Sequence, residues 1–185
     1  MIPVYKPTIG KLEKEYVNDC LDSSWISSKG KYVELFEREL SDATEVTYAT
    51  SVCNGTVALH IALLALGVGE GDEVIVPTFT YIASVNCIKY VGATPVFVDC
   101  LEDTWQLDPE DVRKKITPRT KAIIAVHLYG HPAEMSLMVQ IAKENNIFLV
   151  EGCAEAFGSL YEGKHVGGFG DIATYSFFGN KTITC

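Results

Sequence analysis

The sequence predicts an α/β fold of three layers, with helices on both faces of a mainly parallel sheet. Four short apolar runs, EVIVP, PVFVD, AIIAVH and IFLVE, alternate with helix-like segments along the chain. Strands that are apolar on both faces are typical of a sheet covered on both sides, and such sheets are mainly parallel. The 185 residues, 48% of them hydrophobic, suffice for one domain with a substantial core.

Residues 1–45 are predicted to form a helical segment that precedes the sheet. Its predicted elements are a helix over residues 11–22, a polar loop with Trp25 and Ile26 over residues 23–30, and a helix over residues 32–40. In the first of these helices Leu12, Tyr16 and Leu21 are the apolar positions.

Residues 46–185 are predicted to form the sheet and its covering helices. The predicted strands cover residues 46–51, 73–77, 95–99, 122–127, 147–151 and 171–178, and the predicted helices cover residues 56–66, 83–91, 108–116 and 133–145. Asn54 is a suitable N-cap for the first of these helices, which is apolar almost all round and is therefore expected to be buried. The third helix is opened by Asp108, and Pro109 is suited to its first turn.

Charge and hydropathy argue against two classes of partner. The net charge is −9, with acidic and basic residues interspersed, whereas nucleic acids and anionic membranes require a basic face. The longest apolar runs have the length of buried strands, so no membrane span is expected. The N-terminal residues Met1 to Lys6 lack the charged-then-apolar pattern of a secretory signal.

The cysteines and histidines do not predict a metal site. None of the six cysteines forms a CxxC pair, which disfavours zinc and redox dithiols and indicates a reduced, cytoplasmic protein. His127 and His131 are four residues apart, but Gly130 and Pro132 would break a helix between them. We therefore expect no metal.

Lys181 is the candidate nucleophile. It follows an apolar strand and two aromatic residues in the run SFFGNK. Desolvation lowers the pKa of a lysine and makes its neutral amine available, as in the Schiff-base lysine of pyridoxal 5′-phosphate (PLP) enzymes. A single lysine is more often a solvated surface residue, so this interpretation depends on the other residues of the site.

A phosphate site is predicted where residues 51–56 pass from a strand into a helix. Unpaired N–H groups and the helix dipole favour an anion there, Gly55 permits close approach, and Thr56 offers a hydroxyl. Ser176, five residues before Lys181, offers a second hydroxyl to the same phosphate. The alternative interpretation is a simple N-cap at Asn54.

Aromatic and acidic residues complete the candidate site. Tyr81 lies beyond the carboxyl end of a predicted strand, where it could stack on a planar cofactor. PLP also requires a carboxylate beside its pyridine nitrogen, because the protonated ring is the electron sink. Glu151 and Glu155 are the acids available after another strand.

These segments together resemble the DegT/DnrJ/EryC1/StrS family of sugar aminotransferases, PLP enzymes of fold type I. The resemblance runs from Tyr5 to Thr184 and is strongest in SVCNGTVALHIALLALGVGEGDEVIVPTFTYIAS, PVFVD, HLYGHP and GDIATYSFFGNKTIT. Within the family, WISS, TFTYIASVN, DTWQLDPEDV and SFFGNKTIT are most similar to GDP-perosamine synthases.

The resemblance implies a role for each candidate residue. Lys181 would bind PLP covalently and move a proton between the substrate and the cofactor. The phosphate would be held by Gly55, Thr56 and Ser176, the ring would be stacked on Tyr81, and Glu155 would lie beside it. The implied reaction transfers an amino group, from glutamate, to C4 of a nucleotide-linked 4-keto-6-deoxy sugar, in an enzyme that is a homodimer.

Two departures from the family pattern limit what the resemblance implies. Family members have an acid where this chain has Gly152, and that acid pairs with the pyridine nitrogen. The family motif also continues beyond Lys181 into a further strand and a C-terminal domain, whereas this sequence ends at Cys185. Residues 1–185 are therefore expected to be a truncated, incomplete PLP-binding large domain, without the C-terminal domain.

Two alternatives to an aminotransferase remain open. One is an inactive remnant or a non-catalytic subunit that pairs with a full-length aminotransferase, which Gly152 and the chain length favour. The other is a sugar dehydratase of the same family, which Lys181 disfavours because those enzymes have histidine at that position.

Overall fold

The computed structural model describes Ile2 and residues 5–184. In chain order its α-helices are α1 (Lys11–Asp22), α2 (Lys31–Thr44), α3 (Gly55–Ala65), α4 (Ala83–Tyr90), α5 (Pro109–Lys115) and α6 (Met135–Asn145). Its β-strands are β1 (Glu73–Pro77), β2 (Thr94–Val98), β3 (Thr120–Val126), β4 (Phe148–Gly152), β5 (Leu160–Tyr161), β6 (Lys164–His165) and β7 (Ile172–Thr174). These bounds confirm the predicted helices, and the four apolar runs are strands.

The main sheet is parallel throughout and has the strand order β2-β1-β3-β4-β7. Strands β5 and β6 form a separate antiparallel hairpin that was not predicted, because two residues are too few for a periodic signal. Since all strands of the main sheet run in one direction, their carboxyl ends meet at one edge, where open α/β sheets bind ligands.

The core lies on both faces of the sheet, which confirms the predicted three layers. Successive residues of a strand point to opposite faces. Val74 and Val76 of β1 accordingly pack in a cluster with Leu63 of α3, whereas Ile75 packs in a second cluster with Met138 of α6. Helices α3 and α4 therefore cover one face, and α5 and α6 cover the other.

Two strand predictions differ from the structure. Residues 46–51 were predicted to be a strand but adopt no regular secondary structure. No described strand lies beside them, and a β conformation is stabilised by pairing with a neighbour. The last strand was predicted over residues 171–178, but β7 ends at Thr174, since β4 ends at Gly152 and provides no further partner.

Two helices expose more apolar surface than the sequence indicated. Leu63 of α3 is fully buried, but Ile61 and Leu64 are 44% and 53% exposed, so the prediction of an all-round buried helix was wrong. Helix α1 has no buried residue, and its apolar residues Val17 and Leu21 are exposed. Both helices therefore expose apolar side chains to solvent.

The structure bears on the predictions about membrane spans and cysteines. Within the part of the chain that the structure describes, no helix has both the length and the apolar character needed to cross a membrane. Five cysteines in that part are free thiols, namely Cys20, Cys53, Cys87, Cys100 and Cys153. Cys185 and the N-terminal Met1 lie outside the described residues.

Candidate active site

The predicted site residues lie beyond the carboxyl ends of three strands and at the start of one helix. Tyr81 follows β1, Glu155 follows β4, and Lys181 follows β7. Ser176 also follows β7 and contacts the first turn of α3. Parallel strand direction thus brings residues from distant parts of the sequence to one edge of the sheet.

The N-terminus of α3 has the features of an anion site. Asn54 is the N-cap, since its Oδ1 accepts the Val57 N–H at 2.9 Å. The N–H groups of Gly55 and Thr56 have no acceptor among the described residues. The N-cap interpretation and the phosphate interpretation are therefore compatible, because capping uses one donor of the first turn and leaves two others available.

Ser176 lies directly against this first turn. A Cβ placed on Gly55 would be 3.0 Å from Ser176 Cβ and 3.4 Å from its Oγ. A larger residue at position 55 would therefore displace Ser176. Ser176 Oγ also has no hydrogen-bond partner within the described residues, which leaves a hydroxyl beside the two helix N–H groups.

Lys181 is largely withdrawn from solvent. Its side chain is 15% exposed, and its Nζ lies 3.3 Å from Glu155 Oε1. The same Nζ lies 5.9 Å from the centroid of the Tyr81 ring, at the outer limit of a cation–π contact. This low exposure fits the interpretation of Lys181 as a candidate nucleophile better than that of a solvated surface lysine.

Glu155 connects the segment that contains Lys181 to the loop that contains Tyr129. Its Oε2 accepts the Tyr129 N–H at 3.0 Å, and its backbone carbonyl accepts the Thr182 hydroxyl at 3.2 Å. Tyr129 has φ 54°, a left-handed conformation that is unusual for tyrosine, and it orients this N–H. Sequence reasoning missed Tyr129 because every residue has a backbone N–H, and only its position in the fold makes this one useful.

Glu151 does not face the candidate cofactor. It is fully buried, and its carboxylate accepts hydrogen bonds from the N–H groups of Gly167 at 2.7 Å, Phe169 at 2.7 Å and Gly170 at 2.6 Å. A fourth contact joins its Oε2 to His127 Nε2 at 3.2 Å. The hypothesis that Glu151 could pair with the pyridine nitrogen is therefore wrong: this side chain fixes the loop that precedes β7.

The charge of Glu151 is stabilised without a cationic partner. Burial alone would raise the pKa of Glu151, but the hydrogen bonds from His127, Gly170 and Gly167 outweigh it and hold the pKa below its usual value. His127 Nδ1 accepts the Ala133 N–H at 3.1 Å, so the ring proton resides on Nε2 and is donated to Glu151. The site is an anion held by four neutral donors.

His127, Glu151 and Cys153 form the one group of three potential metal ligands found among the described residues. The lone pair of His127 Nδ1 is already occupied by Ala133, and the Glu151 oxygens accept the four donors. Burial, with the Glu151 charge nearby, raises the pKa of the Cys153 thiol well above its usual value. The geometry therefore favours a packed polar network over a metal centre.

Gly152, the next residue of β4 after Glu151, lies on the opposite face of the sheet. It is buried, and a Cβ placed on it would be 3.3 Å from Val126 Cγ2 and 3.6 Å from the Ala125 carbonyl oxygen. That contact is close but requires only a small shift of a methyl group. An acidic side chain at position 152 is therefore sterically acceptable, although this chain lacks one.

The residues present fit most, but not all, of a PLP molecule. An anion site at α3, an adjacent hydroxyl, a poorly solvated lysine and an exposed tyrosine ring match its phosphate, aldehyde and aromatic ring. Of the two acids that the sequence suggested for the pyridine nitrogen, Glu151 is occupied elsewhere, and the oxygens of Glu155 already contact Lys181 and Tyr129.

The sequence profile of the DegT/DnrJ/EryC1/StrS aminotransferase family matches residues 7–185. The chain belongs to this family. The resemblance inferred from the motifs is thereby confirmed, and it extends over nearly the whole sequence.

Relatives within the family are similar in both sequence and structure. The GDP-perosamine synthase of Escherichia coli O157:H7 is 65% identical over 183 residues, which are 99% of this chain and 50% of that protein. A Streptococcus pneumoniae protein described as a sugar aminotransferase, solved in its PLP form, superposes with a TM-score of 0.93 at 37% identity, over 99% of this chain and 50% of its own.

The fold is also shared with an enzyme of different activity. The E. coli GDP-4-keto-6-deoxy-D-mannose-3-dehydratase, solved with hydrated PLP, has a TM-score of 0.93 at 29% identity, over 98% of this chain and 48% of its own. The fold alone therefore does not separate aminotransferases from dehydratases. In each comparison the chain spans about half the length of the relative it matches.

Proposed function

We propose that this chain binds PLP through Lys181, and that it forms the N-terminal half of a site for amino transfer to a nucleotide sugar. The acceptor would be C4 of a nucleotide-linked 4-keto-6-deoxy sugar, and the donor would be glutamate, as expected of a GDP-perosamine synthase. The observation that supports this most strongly is the 65% identity to such a synthase, in a chain whose Lys181 is 15% exposed.

The phosphate end of the cofactor would lie at the start of α3. Its oxygens would accept the N–H groups of Gly55 and Thr56 and the hydroxyl of Ser176. The helix dipole adds a favourable field for a dianion at this position. Because Gly55 and Ser176 are in contact, a change of either residue would alter the shape of this cradle.

The reactive end would lie at Lys181. Glu155 fixes the position of its Nζ, and the Tyr81 ring, 71% exposed, offers a face for stacking beside it. Bound PLP supplies the electron sink on which an amino group can be exchanged. The amine of Lys181 would then move a proton at the substrate carbon, at a position set by its neighbours.

Gly152 supports a second candidate function, binding of the cofactor without efficient turnover. Capture of PLP requires Lys181 and the anion site, both of which are present. The electrostatic group at the ring nitrogen is absent from position 152, and groups of this kind are typically worth about 3–4 kcal/mol, or 10²–10³ in rate. This chain would then act as a cofactor-binding remnant or a partner subunit.

Two further features of the proposal follow from family membership and composition. We propose that the complete protein is a homodimer, as the resemblance implies. We also propose the cytoplasm as its compartment, since the five described cysteines are unpaired and several are buried thiols.

The proposal is tested by isotope transfer in a protein of family length. A chimaera would join residues 1–184 of this chain to the second half of the E. coli O157:H7 GDP-perosamine synthase. With PLP, ¹⁵N-glutamate and GDP-4-keto-6-deoxymannose, the label should reach C4 of the sugar, slowly because of Gly152. A folded chimaera that captures PLP at Lys181 but transfers no label, even with an acid at position 152, would contradict amino transfer.

A further inference from the structure

Gln106 is a buried glutamine that the proposed function leaves without a role. It lies in the loop over residues 99–108, between β2 and α5, within the DTWQLDPEDV motif, and it is 3% exposed. Buried amides are almost always hydrogen-bonded, because an unpaired polar group loses free energy when it leaves water. The partners of this amide therefore indicate what the side chain supports.

The Gln106 amide contacts two backbone segments. Its Oε1 accepts the Leu128 N–H at 3.1 Å, and its Nε2 donates to the Leu128 carbonyl at 3.2 Å. The Nε2 also donates to the Thr104 carbonyl, within its own loop, at 3.3 Å. These partners fix the orientation of the amide, since only the nitrogen can donate to the two carbonyl groups. One side chain thus holds both polar backbone groups of a residue that is 22 positions away.

The loop over residues 99–108 is a suitable anchor because its own backbone is closed. The Leu101 N–H donates to the Gln106 carbonyl at 2.8 Å. An isolated antiparallel bridge joins Cys100 to Leu107. The main chain of Gln106 is therefore fixed on both sides, and its side chain has a defined starting point from which to reach Leu128.

Leu128 begins the tight turn that presents an N–H to the candidate active site. The turn covers Leu128–Gly130, and Tyr129 within it has φ 54° and ψ 27°. The Tyr129 N–H donates to Glu155 Oε2 at 3.0 Å. The left-handed conformation of one residue is thus what directs this donor to the carboxylate.

Two side chains hold the Leu128–Gly130 turn from opposite ends. Gln106 binds its first residue, and Ser159 Oγ donates to the Gly130 carbonyl at its last residue, at 2.7 Å. A left-handed residue other than glycine persists only where its surroundings hold it, because its Cβ is crowded by the backbone. Loss of the support from Gln106 should therefore let the turn relax and move its N–H away from Glu155.

We propose that Gln106 is a positioning residue for Lys181. It acts through the Leu128–Gly130 turn, whose Tyr129 N–H holds one oxygen of Glu155. The other oxygen of that carboxylate lies 3.3 Å from Lys181 Nζ. Because one oxygen is anchored, the carboxylate cannot rotate freely, and the amine beside it has a defined place. The inference rests on the proposed function, in which Lys181 captures PLP.

A purely structural role is the competing interpretation of Gln106. Its loss would leave the buried N–H of Leu128 without this acceptor, which lowers stability whether or not the active site is affected. A structural role predicts a lower melting temperature and an unchanged reactivity of Lys181 in the folded protein. A positioning role predicts that the reactivity of Lys181 also falls.

The rate of PLP capture by the 185-residue chain separates the two interpretations. Samples mixed with PLP are reduced with borohydride at successive times, and label at Lys181 is measured by peptide mass spectrometry. In Gln106→Leu the rate should fall by roughly 10-fold, because a small displacement of a reacting group has a large effect on rate. Equal rates in the wild type and Gln106→Leu would overturn the proposal.

Two variants serve as matched controls for this measurement. Val112→Ala removes buried volume from α5 but no side-chain hydrogen bond, so it should lower the melting temperature and leave the capture rate nearly unchanged. Gln140→Leu makes the same exchange at an exposed glutamine of α6 and should alter neither quantity. A slower capture in Val112→Ala, equal to that in Gln106→Leu, would show that lost stability alone explains the effect.

Competition by inorganic phosphate gives an internal reference. The anion site at the start of α3 is formed by other segments, so the phosphate concentration that halves capture should be the same in the wild type and in Gln106→Leu. A weaker effect of phosphate in the variant would mean that the whole site is disturbed, and it would count against specific positioning of Lys181.

A double-mutant cycle tests the route through Glu155. In a Glu155→Ala background, Gln106→Leu should change the capture rate by less than about 2-fold, because the link is already removed. The same fold-loss in both backgrounds would overturn this route. Gln106→Asn keeps an amide but is one methylene shorter, so it cannot hold both backbone groups of Leu128. It replaces Gln106→Leu if that variant does not fold, and the same outcomes are expected.

Amide hydrogen exchange without cofactor separates this inference from the proposed function. The Tyr129 amide, measured by NMR, should exchange at least roughly 10-fold faster in Gln106→Leu than in the wild type. Unchanged exchange would overturn the proposal. A wild type that captures no PLP at Lys181 would count against the proposed function, whereas faster exchange at Tyr129 would still support the hold of Gln106 on the turn.

Discussion

Glu151 and Gly152 are adjacent in β4, yet they serve opposite faces of the sheet. The carboxylate of Glu151 accepts three N–H groups of the loop before β7 and a fourth hydrogen bond from His127, which follows β3. Gly152 faces the other side, where the family places an acid beside the cofactor. A shift of one residue in a strand changes the face that a side chain reaches, so Glu151 cannot compensate for Gly152.

Glu151→Gln should lower the free energy of unfolding by about 2–3 kcal/mol at pH 7, because its amide NH₂ would oppose buried N–H donors. The exposed Glu102→Gln should change it by less than about 0.5 kcal/mol. Urea denaturation measures both values. A loss in Glu151→Gln no larger than that in Glu102→Gln would show that the four hydrogen bonds contribute little.

The same variant should have a distinct pH dependence. The pKa of Glu151 is lowered in the folded state, so its stabilising contribution is complete above the usual value near 4.5 and is lost as the pH falls through the folded value. The difference in stability between the wild type and Glu151→Gln should therefore shrink in acid. A difference that stays constant from pH 7 to pH 3 would contradict the lowered pKa.

Gly152→Asp should raise amino transfer in the chimaera by about 10²–10³, the usual effect of one preorganised electrostatic group. Gly152→Asn has the same shape without the charge and should give little gain. Transfer of ¹⁵N from glutamate is the measurement. Equal rates in the two variants would mean that the missing acid is not the main defect.

At the scale of elements, the loop before β7 depends on close backbone contact. A Cβ placed on Gly170 would lie 2.5 Å from the Leu149 carbonyl oxygen, which belongs to the backbone of β4 and cannot easily move. The three backbone N–H groups that bind Glu151 lie in the same loop. Packing of this loop therefore positions β7, and β7 in turn leads to Ser176 and Lys181.

Gly170→Ala should destabilise the protein by at least about 2 kcal/mol through overpacking. Gly179→Ala is a matched control, because a Cβ there would have no heavy atom within 4 Å. Thermal and urea unfolding report both changes. If Gly170→Ala were as stable as Gly179→Ala, the loop would be less constrained than the structure indicates.

At the scale of the whole molecule, most of the parallel sheet could be predicted because buried strands have continuous apolar sequences. Residues 46–51 were predicted to be a strand but adopt no regular secondary structure, since a β conformation depends on a neighbouring strand. Lys181, Tyr81 and the first turn of α3 could be chosen as candidates from residue type and position after a strand. The contacts of Tyr129 with Glu155 and of Glu151 with its loop were not, because they involve backbone groups of distant segments.

Reductive trapping of PLP tests the central claim, that Lys181 lies in a preformed cofactor site. The 185-residue chain is mixed with a slight excess of PLP and reduced with borohydride, and the modified lysine is located by peptide mass spectrometry. Modification should concentrate at Lys181, decrease with added inorganic phosphate or with Ser176→Ala, and disappear from that peptide in Lys181→Arg. Label spread evenly over the exposed lysines, and unaffected by phosphate, would contradict the account.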